Sequence, residues 1–300
     1  MSRIFDALRR MEQMKTSVEG GIPQGLSVEG LDAIQSYSSE PDAWENVRRV
    51  SYRAQPENPV LCPSERDRAG LERFKLLRYR LYQLRERRAM RSILVTSAIP
   101  REGKSMVAVN LAATLAQASD RVLLVDADLR RPSLDSFLGL KPTEGLADFL
   151  QGRVDLLSAC CRVDPLGFVF LKAGRSPANP VELLQGESMR ALLKTATTSF
   201  DWVVIDSPPV LPLADARFLA TLCDAAIVVA REGHTRREEL REGLAALKGT
   251  YLAGIVFNTS RTATEGVYSY LPPGELPVEA VPPPIYMDRR AARSQVVQHG

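Results

Sequence analysis

Histidine is almost missing: His234 and His299 are the only two in 300 residues. The four cysteines, Cys62, Cys160, Cys161 and Cys223, lack metal-ligand spacing. A zinc site is therefore not expected, and the plain reading of the thiols is a reduced, cytosolic protein. Long apolar runs are missing too. No stretch approaches the roughly 18 residues of a membrane span, and the N-terminus has no signal-peptide core. Any membrane contact is expected to be peripheral or through a partner. Excess charge is also small. The net charge of +3 gives no electrostatic case for nucleic acid. What is present is 45% hydrophobic residues and 25% charged ones, as in a globular protein, in a length of 300 residues that can hold one large α/β domain with tails or two small domains.

The most informative stretch is Ser97 to Ser105, S-A-I-P-R-E-G-K-S. A short apolar run with β-branched residues precedes it, and Val107, Leu111 and Leu115 follow at helical spacing. A strand–loop–helix junction is the setting of a phosphate-binding loop. The first N–H groups of a helix have no partner within it, and the helix dipole is positive there. Gly103 lets the backbone approach phosphates, Lys104 can place its ammonium near the β- and γ-phosphates, and Ser105 can ligate Mg²⁺. The expected nucleotide-binding set is Pro100, Arg101, Glu102, Gly103, Lys104, Ser105 and Met106, with Lys104 exposed to ligand rather than packed. Two positions depart from the usual pattern: Ala98 stands where the first glycine is expected, and Arg101 where another often lies.

Residues 3–15 read as a short amphipathic helix and residues 16–64 as a linker with little periodicity. A charged helix is expected from about Asp67 to Arg88, with Leu71, Phe74, Leu77, Leu81 and Leu84 in one stripe. Glu72, Lys75 and Arg78 occupy an adjoining arc. From 92 onward apolar strands alternate with amphipathic helices. Strands are expected near 92–96, 121–126, 167–172, 201–206, 225–230 and 252–257. Helices are expected near 104–118, 145–151, 180–198, 213–222 and 235–248. The fold class is α/β, a P-loop NTPase with a mainly parallel sheet covered by helices on both faces. Its domain is placed at 65–260, and a Pro-rich tail at 261–300 carries Tyr268, Tyr270 and Tyr286.

Three aspartates follow apolar strands: Asp126 and Asp128 in V-L-L-V-D-A-D-L-R-R-P, and Asp206 in W-V-V-I-D-S-P-P. One such aspartate is a turn former or helix cap. Three beside a phosphate loop point to Mg²⁺ chemistry. Phosphoryl transfer needs positioning and charge neutralisation more than a strong base. Lys104 is expected to neutralise charge, with Ser105, Asp128 and Asp206 near the metal. Asp126 is expected to orient the acceptor, the two strand-end aspartates being interchangeable at this stage.

These three motifs together resemble those of the bacterial tyrosine autokinases, the BY-kinases, within the MinD/ParA-like P-loop superfamily. The similarity runs from about 65 to 260 and includes G-L-A-D-F-L at 145–150 and A-G-I-V-F-N at 253–258. The resemblance implies ATP and Mg²⁺ as cofactors and phosphorylation of tail tyrosines, here Tyr268, Tyr270 and Tyr286, in trans. It also implies a role in capsule or exopolysaccharide biosynthesis and export. It places Asn258 near the adenine and makes Glu72, Lys75 and Arg78 a subunit contact in a homo-oligomeric ring, with Lys75 where the family has arginine. The implied partners are a separate membrane-spanning polysaccharide co-polymerase that activates the kinase and a cognate tyrosine phosphatase. The implied location is cytoplasmic, peripheral to the inner membrane. Two other functions fit the motifs: a MinD/ParA-like ATPase switch, and a catalytically weak nucleotide-binding scaffold. The switch proteins usually have an extra lysine early in the loop, where Ile99 and Pro100 stand here.

Overall fold

The computed structural model describes residues 44–52 and 68–258. Eight strands form one sheet: β1 Arg49–Ser51, β2 Ser92–Ser97, β3 Val122–Asp126, β4 Cys160–Asp164, β5 Val169–Leu171, β6 Trp202–Asp206, β7 Ala225–Arg231 and β8 Leu252–Asn258. Their spatial order is β1-β4-β5-β3-β6-β2-β7-β8. The six strands from β5 to β8 pair in parallel, while β4 runs antiparallel to β5 and carries β1 at the far edge. The central strands β2, β3 and β6 are buried at every position. That explains why they read as continuous apolar runs rather than alternating ones.

The helices are α1 Arg68–Arg87, α2 Lys104–Ala116, α3 Leu134–Phe137, α4 Leu146–Leu150, α5 Pro180–Gln185, α6 Glu187–Ser199, α7 Ala214–Leu222 and α8 Arg237–Ala246. They cover both faces. On one face Val107, Leu111 and Leu115 of α2 and Leu81 of α1 pack on Ile93, Val95, Leu124 and Val204. On the other, Phe149 of α4, Met189 and Leu192 of α6 and Leu219 of α7 pack on Leu94, Leu123, Val203 and Ile205.

Three features differ from the sequence reading. The single helix expected over 180–198 is two, broken at Gly186, whose extended backbone (φ −65°, ψ 161°) ends one and starts the next. Strand β4 was not expected, because Cys160–Asp164 is short and its Cys-Cys-Arg-Val-Asp sequence lacks a pure apolar run. Part of the expected linker is packed: Trp44, Val47 and Tyr52 are buried, and β1 pairs with β4. Three residues of strand in a polar stretch leave no periodic signal.

Candidate active site

The parallel order β3-β6-β2 brings three strand ends to one edge. Asp126 at the end of β3 is in register with Asp206 at the end of β6, and Asp206 with Val95 of β2. The chain leaves β2 as the phosphate loop and enters α2 at Lys104. Gly103 sits before that helix in the left-handed region (φ 89°, ψ 21°). That backbone favours glycine, and a Cβ there would also push aside the Asn258 side-chain nitrogen. Arg101 also has a left-handed φ of 66°, which accounts for the glycine often found there. Ala98 is fully buried against Gly243 of α8, where an added Cβ would meet the Ala98 methyl at 2.9 Å. The space saved by the missing loop glycine is saved instead on the helix.

The loop is clamped from the β7–α8 side. The buried Glu102 carboxylate accepts from the Ile99 N–H (3.1 Å) and from the Thr235 hydroxyl. Asn258 donates to the Glu102 carbonyl (3.0 Å), Arg231 to the Arg101 carbonyl (3.4 Å), and His234 lies 3.3 Å from the Pro100 carbonyl. Glu102 and Thr235 are 133 residues apart, a pairing no local pattern announces.

Lys104 and the aspartates form one electrostatic unit. The ammonium lies 3.0 Å from Asp128 and 3.3 Å from the Ser105 hydroxyl, with only 13% of its side chain exposed. It therefore faces the site rather than open solvent; the carboxylate neighbours draw it in. Burial works to lower its pKa, but Asp206, Asp128 and Asp126 outweigh this and raise it. Asp126 is fully buried, one oxygen accepting the Asp128 N–H and the other the Leu134 N–H, both at 3.2 Å. Burial, then Asp206, pushes its pKa well above the usual carboxylate range. Asp206 is different: it too is fully buried, yet neither oxygen closes a hydrogen bond of good geometry. The Ser105 hydroxyl and the Ser207 N–H face it and, with Lys104, hold it down, but burial wins and raises it to about 6.

An unpartnered buried carboxylate beside a lysine, a serine hydroxyl and the N-terminus of a helix fits a divalent cation carried on a phosphate. Among the described residues no group of three His, Cys, Asp or Glu could hold a metal by itself. The arrangement suits an ion that keeps most of its ligands from phosphate and water, with Ser105 and Asp206 as the protein's share while Asp128 holds Lys104.

Further residues shape the edge. Arg130 makes a two-pronged pair with buried Asp215 of α7 (2.8 and 3.3 Å), tying down the loop after β3. Buried Asp148 accepts from the Gly145 and Arg175 N–H groups and from Arg153. Arg130 was legible as part of the L-R-R-P run, whereas Asp215 had no sequence signal. On α1, Lys75 pairs with Glu72 (2.7 Å) and Arg78 donates to the Thr114 carbonyl of α2 (2.7 Å). Asn258 meets the phosphate loop at the end of β8. Tyr268, Tyr270 and Tyr286 lie outside the described residues.

Residues 88–263 match the family model described as ParA, the NUBPL iron-transfer P-loop NTPase. The chain is 33% identical over 214 residues to the tyrosine-protein kinase YwqD of Bacillus subtilis, covering 70% of this chain and 90% of YwqD. The chain belongs to the bacterial tyrosine-protein kinase family. The tyrosine-protein kinase Etk of Escherichia coli K12 is 28% identical over 90% of this chain, which spans only 36% of Etk. Among solved structures, the Etk kinase domain from Escherichia coli superposes with a TM-score of 0.64 at 26% identity, covering 75% of this chain and 96% of that domain. The BceF tyrosine kinase domain gives 0.58 at 30% identity over 83% of this chain and 96% of its own. The kinase fold thus accounts for the described sheet and its P-loop nucleotide site.

Proposed function

We propose that this kinase transfers the γ-phosphoryl group of Mg-ATP to tyrosines of its own tail, Tyr268, Tyr270 and Tyr286, from one molecule to another. The supporting observation is Asp206: a fully buried carboxylate with both oxygens unsatisfied, facing Lys104 and Ser105 at the phosphate loop. When bound, Mg²⁺ supplies positive charge on the phosphate oxygens. The α2 N-terminus and Lys104 hold the β- and γ-phosphates, so Lys104 exchanges Asp128 for phosphate. Asp128 is then released to orient the acceptor hydroxyl. Asp126 fixes Asp128 through the bond to its N–H. Asn258 stands beside the loop where the base would sit.

By the same reading the kinase works at the inner membrane on capsule or exopolysaccharide export, with a membrane-spanning activator, a cognate phosphatase and a ring of its own copies. Among the described residues no helix is long and apolar enough to cross a membrane. The test is intact mass with phosphosite mapping after incubation with Mg-ATP, alone and with the activator. Phosphate on the tail tyrosines is expected. ATP consumed without protein phosphate would favour a switch ATPase instead.

A further inference from the structure

The strand order lays out the site along the sheet edge. The phosphate loop leaves β2, Asp206 ends β6, Asp126 ends β3, and the next strand is β5. A cavity of about 330 Å³ opens beyond β5, lined by Pro142, Thr143, Glu144, Gly174 and Arg175. It lies on the opposite side of the aspartates from the phosphate loop. It is joined to them: the Ser176 hydroxyl donates to the carbonyl of Leu129, the residue after Asp128 (3.2 Å). An acceptor peptide entering at Asp128 must lie over this ground, because β6, β2 and β7 on the other side are occupied by the nucleotide machinery.

The charges there are uneven. Arg130 is anchored to Asp215, and Lys172 is buried between the Lys141 carbonyl, Thr143 and Asp135. Asp148 is taken up by backbone N–H groups and Arg153. Glu144 lies 3.6 Å from Arg175, whose side chain is 71% exposed. Two exposed cations have no such neutralising partner among the described residues: Arg131, whose N–H is held by Asp128 (3.1 Å), and Lys141, next to Pro142. The surface therefore carries a positive surplus beside the transfer site.

Resting on the tyrosine-kinase reading, we propose that this cavity and its cationic rim, Arg131 and Lys141, form the acceptor-peptide subsite and select an acidic residue beside the tyrosine. The tail offers one. Glu265 precedes Tyr268 by three residues in T-E-G-V-Y-S-Y, a reach of about 10 Å in extended chain. Arg131 and Lys141 are specificity residues in this account and take no part in the chemical step.

The test uses the full chain and two synthetic peptides, the Thr264–Tyr270 sequence and the same sequence with Glu265→Lys. The wild type should favour the acidic peptide in kcat/KM by about two- to fivefold, the range of one partly exposed charge pair. Arg131→Glu and Lys141→Glu should each shrink that preference, and the double variant should reverse it in favour of the lysine peptide. Lys141→Gln, which removes the charge without inverting it, should sit between. A preference unchanged by the variants, or an equal loss for both peptides, would overturn the proposal. Fluorescence anisotropy of the labelled peptides keeps the two readings apart. Preferential binding without transfer would sink the kinase reading alone, and equal binding of both peptides would sink the subsite.

Discussion

Asp206 is held buried at a cost to the fold. Its ordinary pKa of 3.8 is raised to about 6 in the folded chain, mainly by burial. Between those values the folded state binds more protons than the unfolded one, so stability falls as pH rises through this window. Above it the full cost applies, on the order of 3 kcal/mol. Without nucleotide, Asp206→Asn should therefore unfold at a higher temperature than the wild type at pH 7.5, and the gap should close near pH 4. The same variant should lose the extra thermal stabilisation that Mg-ATP gives the wild type. A lower melting temperature for Asp206→Asn at pH 7.5 would mean that the Lys104 attraction outweighs burial. Lys104→Met pulls the other way. It leaves Asp128 and Asp206 facing each other without their cation, so it should destabilise the protein by about 2–4 kcal/mol at neutral pH and less in acid. Autophosphorylation should fall by at least about 10²-fold. Thermal melts at two pH values, beside a phosphotyrosine assay, separate these effects. The identities of Lys104, Ser105 and the three aspartates were legible because each sits at a strand or helix end that the apolar pattern marks. Their division of labour was not. It depends on which oxygens find backbone N–H groups, and only the fold decides that.

The phosphate loop as an element is built by contacts from afar. Its motif is local, but its shape comes from Thr235, Arg231, His234 and Asn258 at the ends of β7 and β8. Thr235→Val removes a hydroxyl from the buried Glu102 carboxylate and should cost about 1–3 kcal/mol. Nucleotide affinity should fall with it, because the loop loses the clamp and not a ligand-binding group. Isothermal titration with ATP alongside a melt checks this, and weakened affinity with an unchanged melting temperature would show that the clamp acts only on the bound state. Arg101 carries a left-handed backbone that glycine adopts without strain. Replacing it with glycine relieves that strain but loosens the unfolded chain, so the net gain should be small, about 0.5 kcal/mol. The sequence flagged Arg101 and Ala98 as departures from the usual loop. It did not reveal that Gly243, far along the chain, makes room for the Ala98 methyl.

Across the described residues, the long strands were readable as continuous apolar runs and the amphipathic helices from their period, and the six-stranded parallel block follows from them. The β1–β4 edge was not readable, since three- and five-residue strands carry too little pattern. The same limit applies to α1. Its apolar stripe and charged arc were visible, but not which side would face a neighbouring molecule. The structure uses Arg78 inside the chain, as a donor to the Thr114 carbonyl, and pairs Lys75 with Glu72. The exposed large apolar residues of α1 are Leu76 and Tyr79, 56% and 51% exposed and one turn apart. If α1 joins subunits into the ring, an apolar pair held open to water is where the contact should gain most. Leu76→Asp should then dissociate the oligomer while leaving the monomer's melting temperature within about 0.5 kcal/mol of wild type. Arg78→Ala should instead weaken the monomer, by about 1.5–3 kcal/mol, since it removes a charged donor between two helices. Analytical ultracentrifugation and thermal melts of both variants discriminate the roles. An oligomer that survives Leu76→Asp but breaks in a folded Arg78→Ala would return the subunit contact to the charged arc and make the Thr114 bond a resting position of the arginine.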